Sequence, residues 1–462
     1  MTAVDDPLWC WSQLVSACGL ALEPGPNIQG ICIDSRQVKP GDLFIALAGD
    51  PGPRFGGSGS GGRDGHDFIS AAIAAGAEGL LVSRDQGNAI PQLLVTDTLE
   101  GLWSLGRAGR QRMTGQVVGI TGSSGKTTAR QWIEELLRAQ AQTHASTGSF
   151  NNHWGVPLSL ARMPASSAYG VFEIGMNHPG EIRPLAEMVN MDVALVLNVL
   201  PAHLGYFEHI DAIRQEKLSI CAGLKPGGSL VVLDTLDLDG VSAERVLRFG
   251  LSAAADVRGQ PVYYSDHTLV RVTFGARSWQ YRLKAGGEHR VLTSLASFAV
   301  LLALGADLEA AVETMPTLSM PAGRGNEIQI AGMSLFDDSY NANPVSMAYA
   351  LQALRNAGEG RQKVAILGEM LELGAATEAL HGDLLAACDG LDGVITVGDG
   401  FRSWNHRLLG ERYWGHVDRA ADIDLLGLLQ NLKPNAQILV KGSNRVFWVH
   451  QFVERLRQTL AE

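Results

Sequence analysis

Thr121-Gly122-Ser123-Ser124-Gly125-Lys126-Thr127-Thr128 is the stretch of this sequence that decides its fold. It follows an apolar run at residues 117–120 and precedes residues 130–137, whose apolar side chains recur at helical spacing. A glycine-rich turn between a buried strand and a helix leaves main-chain N–H groups free for phosphates, and the helix dipole adds partial positive charge. Lys126 can reach the outer phosphates, and the Thr127 hydroxyl can hold Mg²⁺.

The spacing of this loop is shorter than usual, because Ile120 stands where such motifs place a glycine, six residues before the lysine. The simpler alternative is a glycine-rich turn that carries a lysine by chance. Strand, turn, helix, lysine and paired threonines agree on phosphate binding, which we favour. We expect the phosphates to be held by Gly122, Ser123, Ser124, Gly125, Lys126, Thr127 and Thr128.

Length and composition predict a cytoplasmic protein with large buried cores. The chain has 462 residues, of which 46% are hydrophobic, and a net charge of −11 that argues against a nucleic-acid-binding surface. Its five cysteines are scattered, as is typical of free thiols in a reducing compartment. We find no signal peptide and no apolar run long enough to cross a bilayer, so no membrane association is expected.

The chain is expected to fold into three α/β domains, at residues 1–112, 113–320 and 321–462. The first has short strands at 31–36 and 42–47 and a helix at 68–75. In the middle domain, apolar strands alternate with helices, which predicts a mostly parallel sheet of the ATPase type at 116–121, 169–174, 193–198 and 229–233, closed by a helix at 291–304. The last domain is predicted to be a smaller Rossmann-like fold with strands at 334–337, 364–367, 393–397 and 437–440.

Residues 51–65 are crowded with glycine and serine. We interpret them as a mobile surface insertion, with a functional lid as the alternative.

Two polar side chains are expected beside the phosphate loop. Glu173 ends one predicted strand, and His203 follows another. Carboxyl ends of parallel strands share one edge of a sheet, so both side chains could reach a metal ion held by the loop. Singly, each would more often be a solvated or structural residue; together, beside a phosphate loop, they favour a functional site.

At this point the sequence resembles the Mur ligase family, ATP-dependent enzymes that form amide bonds in peptidoglycan precursors. The resemblance covers nearly the whole chain. The motifs that carry it are 121–128, 146–152, 173–175, 198–203, Lys217, 323–324 and 338–344.

Three stretches, at 34–36 with 41–44, 338–344 and 367–374, are most similar to the members that add D-alanyl-D-alanine. The Asp-Asn-Pro-Arg sequence of the diaminopimelate-adding members is absent. The resemblance implies that the first domain binds UDP-N-acetylmuramoyl-tripeptide, the middle one ATP, and the last D-alanyl-D-alanine and part of the ATP. ATP would phosphorylate the tripeptide carboxylate, and the dipeptide amine would displace phosphate. A monomer is expected.

The same resemblance implies the catalytic residues Lys126, Glu173, His203 and Lys217 and two Mg²⁺ sites, with Thr127, Glu173, His203 and Lys217 as ligands. An ammonium has no free lone pair, so Lys217 would act as a carbamate formed with CO₂. Judged on its charged helical context alone, Lys217 would instead lie on a solvated helix face.

The resemblance also implies contacts to ATP and the peptide substrates. Arg324 would face the phosphates, and Asp338 the ribose or a bridging lysine. Thr293 stands where the family places an adenine-contacting asparagine, and it offers only a hydroxyl. The residues implied for substrate binding are Ser35, Arg36, Thr147, Asn151, Asn152, Asn341 and Asn343.

Two other functions stay open from the sequence. The first is a related ligase, such as another Mur member or a folylpolyglutamate synthase, which would share the phosphate loop but not the 34–36 region. The second is a nucleotide-binding switch that hydrolyses ATP without an acceptor and does not need Glu173, His203 and Lys217 together.

Overall fold

Three β-sheets follow one another along the chain in this computed structural model. The structure describes residues 6–49, 63–87, 90–201, 205–207, 209–264, 266–284, 287–358, 360–404 and 409–461. Within these residues the sheets have four, nine and six strands, and helices pack against them. The three-domain α/β architecture predicted from the sequence is confirmed. Most of the 51–65 segment lies outside the described residues, so its interpretation stays a prediction.

The first sheet is small and entirely parallel, and its two central strands are buried. Its strands are Gly30–Cys32 (β1), Asp42–Ile45 (β2), Gly79–Val82 (β3) and Gln92–Leu94 (β4), and its helices are Trp11–Ala17 (α1), Ile69–Ala74 (α2) and Thr98–Arg112 (α3). The expectation of a strand over 31–36 is wrong beyond Cys32. The Asp34 carboxylate accepts the Arg36 main-chain N–H at 3.1 Å, and this local bond closes a turn.

The nine strands of the middle sheet lie in the order β6-β7-β5-β8-β9-β10-β11-β12-β13. Neighbouring strands are parallel from β6 to β11, and β12 and β13 pair antiparallel at the other edge. Its strands are Gln116–Thr121 (β5), Thr143–Ala145 (β6), Tyr169–Glu173 (β7), Met191–Val196 (β8), Leu224–Leu233 (β9), Arg245–Gly250 (β10), Val257–Tyr263 (β11), His267–Phe274 (β12) and Arg277–Lys284 (β13). Its helices are Lys126–Arg138 (α4), Gly155–Ala161 (α5), Ile182–Val189 (α6), Ile210–Leu218 (α7), Glu288–Leu304 (α8) and Leu308–Thr314 (α9).

Sequence patterns found the continuous apolar strands at the centre of this sheet and missed its edge. Strand β13 reads Arg-Ser-Trp-Gln-Tyr-Arg-Leu-Lys and alternates between exposed and buried side chains. Such alternation is typical of an antiparallel strand with one solvated face, whereas central parallel strands are apolar on both faces. The antiparallel hairpin β12–β13 is therefore an addition to the parallel sheet that we predicted.

Helix α3 joins the first sheet to the middle domain by close packing on α5. A Cβ atom added to Gly109 would lie 2.3 Å from the Leu160 carbonyl oxygen, so only glycine fits this contact. The buried Arg110 guanidinium donates to the Val189 carbonyl oxygen at 2.8 Å and to the Met113 carbonyl oxygen at 3.0 Å. Main-chain contacts thus fix the two domains to each other.

The last sheet has five parallel strands in the order β15-β19-β16-β17-β18, with β14 antiparallel at one edge. Its strands are Asn326–Ile330 (β14), Met333–Asp338 (β15), Lys363–Gly368 (β16), Gly393–Val397 (β17), Tyr413–Val417 (β18) and Gln437–Lys441 (β19). The helices are Pro344–Asn356 (α10), Thr377–Ala386 (α11), Leu425–Asn431 (α12) and Phe452–Ala461 (α13). Nowhere in the described part of the chain is a helix long and apolar enough to cross a bilayer.

Candidate active site

The glycine-rich loop lies between β5 and α4, as predicted from its sequence. Gly125 has φ +80° and precedes the first residue of α4, a conformation that glycine adopts without strain. Asn198, which follows β8, holds the loop: its side-chain oxygen accepts the Ser124 N–H at 3.0 Å, and its amide donates to the Ser124 carbonyl oxygen at 3.1 Å. The loop is therefore shaped by the neighbouring strand.

The side chains of Lys126 and Ser123 in the loop are fixed by hydrogen bonds to main-chain carbonyl groups. Lys126 Nζ donates to the Gly122 carbonyl oxygen at 2.8 Å, which folds the side chain back over the loop. Burial lowers the pKa of Lys126, and the negative charge of Glu173 opposes that shift. Ser123 Oγ donates to the Leu200 carbonyl oxygen at 3.0 Å, and Thr128 is buried.

Glu173 ends strand β7 beside the loop and is only 1% exposed. Its carboxylate accepts hydrogen bonds from Thr127 Oγ1 at 2.9 Å and from Asn151 Nδ2 at 2.7 Å. A buried carboxylate next to a threonine hydroxyl offers the hard oxygen ligands that Mg²⁺ prefers. No group of three His, Cys, Asp or Glu side chains suited to a metal forms among the described residues.

Arg324 reaches this cluster from the last domain. Its Nη2 lies 3.0 Å from Thr127 Oγ1 and 3.4 Å from Ser149 Oγ, and the two hydroxyls are 3.2 Å apart. The structure thus brings the Arg324 guanidinium from the last domain to the phosphate loop, and its contact with ATP phosphates stays a prediction. Ser149 was not among the predicted site residues, although it lies within the 146–152 motif, and its position there was the available signal.

Lys217 lies on α7 and is 2% exposed, so the solvated helix face suggested by its sequence context is wrong. Its amine makes no hydrogen bond or ion pair with any residue the structure describes. Burial lowers its pKa well below the ordinary value, and the nearby positive charge of Lys126 adds to the shift. The neighbouring Glu216 fixes α7 by accepting the N–H groups of Gly180 and Ile182, each at 2.9 Å.

His203 falls outside the described residues, so its placement beside Glu173 stays a prediction.

Asp338 is engaged by a lysine that the sequence reasoning did not single out. Lys441, buried at the end of β19, donates to Asp338 Oδ2 at 2.7 Å and to the Asn341 carbonyl oxygen at 3.1 Å. Asn343 caps helix α10 by accepting the Ser346 N–H at 2.9 Å, so its side chain has a structural partner. The Asn341 residue is exposed.

Thr293 lies on α8 close to the phosphate loop: a Cβ atom added to Gly125 would be 3.9 Å from its hydroxyl. That hydroxyl already donates to the His289 carbonyl oxygen at 2.8 Å, within its own helix. This internal hydrogen bond leaves only the oxygen lone pairs for a base, and contact of Thr293 with adenine stays a prediction.

The remaining predicted substrate residues lie in two places. Ser35 and the exposed Arg36 are in the turn after β1, where the Arg36 guanidinium contacts Asp34 with Nε and Nη2 at 2.9 and 2.8 Å. This contact lowers the pKa of Asp34 to about 2. Thr147 is exposed after β6, and Asn152 accepts the Gly155 N–H at 2.9 Å at the start of α5. The structure therefore brings Asn151 to the Glu173 carboxylate and leaves Ser35 and Arg36 in the turn after β1.

Comparisons with known proteins match all three parts of the chain to one family. The Mur ligase family catalytic domain matches residues 27–96, the Mur ligase middle domain 120–301, and the Mur ligase glutamate ligase domain 323–444. The UDP-N-acetylmuramoyl-tripeptide–D-alanyl-D-alanine ligase of Escherichia coli is 34% identical, over 90% of this chain and 91% of its own.

Solved structures agree with that match. A crystal structure of MurF from Acinetobacter baumannii is 30% identical with a TM-score of 0.83, covering 97% of this chain and 99% of its own. MurF ligase from Thermotoga maritima in complex with ADP is 28% identical with a TM-score of 0.78, covering 93% and 97%.

Proposed function

Because this chain belongs to the Mur ligase family, we propose that it is an ATP-dependent ligase that joins D-alanyl-D-alanine to UDP-N-acetylmuramoyl-tripeptide in peptidoglycan precursor synthesis. The observation that carries this proposal is the similarity to ligases of that name over nine-tenths of the chain. The clustering of Lys126, Thr127, Glu173 and Arg324 supports phosphoryl transfer at the loop.

The division of labour among the domains forms part of the proposal. Residues 1–112 would bind the uridine nucleotide, 113–320 the ATP, and 321–462 the dipeptide together with one side of the ATP. The T. maritima relative was solved with ADP, which supports a nucleotide site in this fold. Ser35 and Arg36 would contact the uridine-linked substrate, Thr147, Asn151 and Asn152 its peptide, and Asn341 and Asn343 the region where the dipeptide enters.

The chemistry begins with a carboxylate that attacks the terminal phosphate of ATP. Both groups are negatively charged, so cations must surround the transferring phosphoryl group. Lys126 and Arg324 supply two of them from opposite sides of the domain junction. The carboxylate forms a bond to phosphorus as the bond to ADP breaks, and the resulting acyl phosphate is attacked by the neutral dipeptide amine. Phosphate leaves, and the amine loses its proton.

Two Mg²⁺ sites are proposed on residues of this chain. Thr127 and Glu173 would hold one ion, and His203 with a carbamate on Lys217 the other. Bound Mg²⁺ supplies neutralisation of phosphate and carboxylate charge. The support for a carbamate is the buried Lys217 amine, which has no partner among the described residues and whose lowered pKa favours the neutral form that combines with CO₂. Arg324, Asp338 and Thr293 would complete the ATP site.

We further propose a monomer that acts in the cytoplasm, where ATP is available.

Phosphate release should require all three substrates, because the reacting groups are spread over three domains that must come together. The measurement is phosphate release with ATP, UDP-N-acetylmuramoyl-tripeptide and D-alanyl-D-alanine, each left out in turn. Comparable release from ATP alone would favour a hydrolytic switch instead. Turnover with another amino acid in place of the dipeptide, or with a folate in place of the uridine-linked tripeptide, would favour a related ligase.

A further inference from the structure

The guanidinium of Arg324 lies over an aromatic ring. Its Cζ atom is 4.2 Å from the ring centroid of Tyr340, and that ring makes a T-shaped contact with Trp448, with the centroids 5.2 Å apart. From this position Nη2 of the arginine lies 3.0 Å from Thr127 Oγ1 in the phosphate loop. The arginine is therefore held between an aromatic surface of the last domain and the loop of the middle domain.

The main chain sets this stacking. The Gly325 N–H donates to the Asp337 carbonyl oxygen at 2.7 Å, and the Tyr340 N–H donates to the Gly323 carbonyl oxygen at 3.1 Å. These two bonds extend the antiparallel pairing of β14 with β15 beyond the ends of the strands. Arg324 thus lies in the chain segment paired with Tyr340, and the two side chains meet.

The residue before the arginine, Gly323, must also be small, because aromatic side chains pack directly against its main chain. Gly323 has φ +70°, and an added Cβ atom would lie 2.7 Å from the Trp448 ring and 3.0 Å from Tyr340 Cβ. Trp448 therefore packs directly on the main chain at Gly323 and also contacts the Tyr340 ring. Asp337 fixes the chain between β15 and Tyr340, because its Oδ1 accepts the Ser339 hydroxyl at 2.5 Å.

We propose that Tyr340 is a positioning residue that holds the Arg324 guanidinium at the phosphate loop through its ring. A long arginine side chain at a domain junction otherwise samples many rotamers, and ordering it on binding would weaken the contact with phosphate. A ring face both attracts the cation and restricts it to one plane, while the guanidinium edge stays free for hydrogen bonds. The inference rests on the proposed function only for the assignment of Arg324 to ATP phosphates.

The first test is the affinity of the full chain for ADP with Mg²⁺, measured by calorimetry. Tyr340→Leu should bind about 3- to 30-fold more weakly, as expected for loss of a partly desolvated cation–π contact. Tyr340→Phe keeps the ring and should recover most of the affinity. In ligase assays Tyr340→Leu should raise KM for ATP more than it lowers kcat. Tyr264→Leu is the matched control, since that exposed tyrosine stacks on His267 in the β11–β12 hairpin.

The second test asks whether the ring acts through the arginine. In an Arg324→Gln background, Tyr340→Leu should cause no further loss of ADP affinity, because the cation is already gone. A further loss of the same size would mean that the ring contacts the nucleotide itself, and would overturn the proposal. Wild-type affinity in the single Tyr340→Leu variant would also overturn it.

Thermal unfolding of each variant checks that the fold is intact. If Tyr340→Leu is unfolded, Tyr340→Gln serves as the second ringless variant, with the same expected loss. A wild-type chain that binds ADP but does not ligate D-alanyl-D-alanine would refute the proposed function while leaving this binding test valid.

Discussion

Lys126→Ala should lower kcat of the ligase reaction by at least ~10², as removal of a charge acting on a transferring phosphoryl group does. The side chain lies over the phosphate loop and is held there by the Gly122 carbonyl oxygen. Arg324 approaches from the other domain and would remain, so some neutralisation of the phosphates should persist. The measurement is phosphate release at saturating concentrations of all three substrates.

The fold of Lys126→Ala should be unchanged, because this lysine makes one hydrogen bond and belongs to no core cluster of the described residues. Lys284→Ala is the control, since Lys284 is an exposed lysine on the edge strand of the same sheet. If the folded Lys126 variant kept near-wild-type turnover, the assignment of the loop to the reacting phosphate would be wrong.

Lys217→Ala should abolish ligase activity while leaving ADP binding at the phosphate loop. The amine is buried, lies close enough to Lys126 to feel its charge and has no described partner, and a carbamate there would be both a ligand and a negative charge. Removal of CO₂ from wild-type enzyme should lower turnover, and bicarbonate should restore it. A short carboxylic acid, such as formate or acetate, should partly rescue Lys217→Ala by occupying the vacated space.

Lys217→Met is the matched variant, because it keeps the length of the side chain without the amine. It should be inactive and not rescued by a carboxylic acid, and it should be at least as stable as wild type to heat. Normal activity in either variant would contradict the carbamate. So would a structure with substrates in which the unmodified amine points into solvent.

The pH dependence follows from the lowered pKa of Lys217. The carbamate forms on the neutral amine. Ligase activity that depends on the carbamate should therefore rise as pH increases through the lowered pKa of Lys217. In the unfolded chain the amine keeps its ordinary pKa of 10.5 and binds a proton that the folded chain does not. The free energy of unfolding without CO₂ should therefore rise with pH between those two values, and Lys217→Met should lack this contribution.

Much of the fold could be predicted because its central strands and the phosphate loop are each specified by a short stretch of neighbouring residues. Strand β5 has the predicted bounds, and Gly125, Lys126 and Thr127 follow it as expected. The edge hairpin β12–β13 was missed, because its half-solvated strands lack the apolar runs used to find the others. The turn at Asp34 was missed because a side-chain bond, rather than hydrophobic pattern, ends the strand.

The site was harder to predict, because its contacts join distant parts of the chain. Nothing in the local sequence shows that Lys217 is buried, because its neighbours on α7 in the stretch Arg-Gln-Glu-Lys are partly or fully exposed. Likewise, the contact between Arg324 and Thr127 spans 197 residues. Resemblance to a family supplied these positions, and the packing then gave their physical reason. Tyr340 and Lys441 became visible only in three dimensions.

The close packing of α3 on α5 also affects how the chain unfolds. Gly109 meets the Leu160 main chain with no room for a side chain, and Arg110 binds carbonyl groups of the middle domain. Neither sheet can lose its structure without exposing these buried groups, so the first two domains should melt as one cooperative unit. Within the described ranges, no helix packs the last domain on the middle sheet in this way, so the last domain should unfold in a transition of its own.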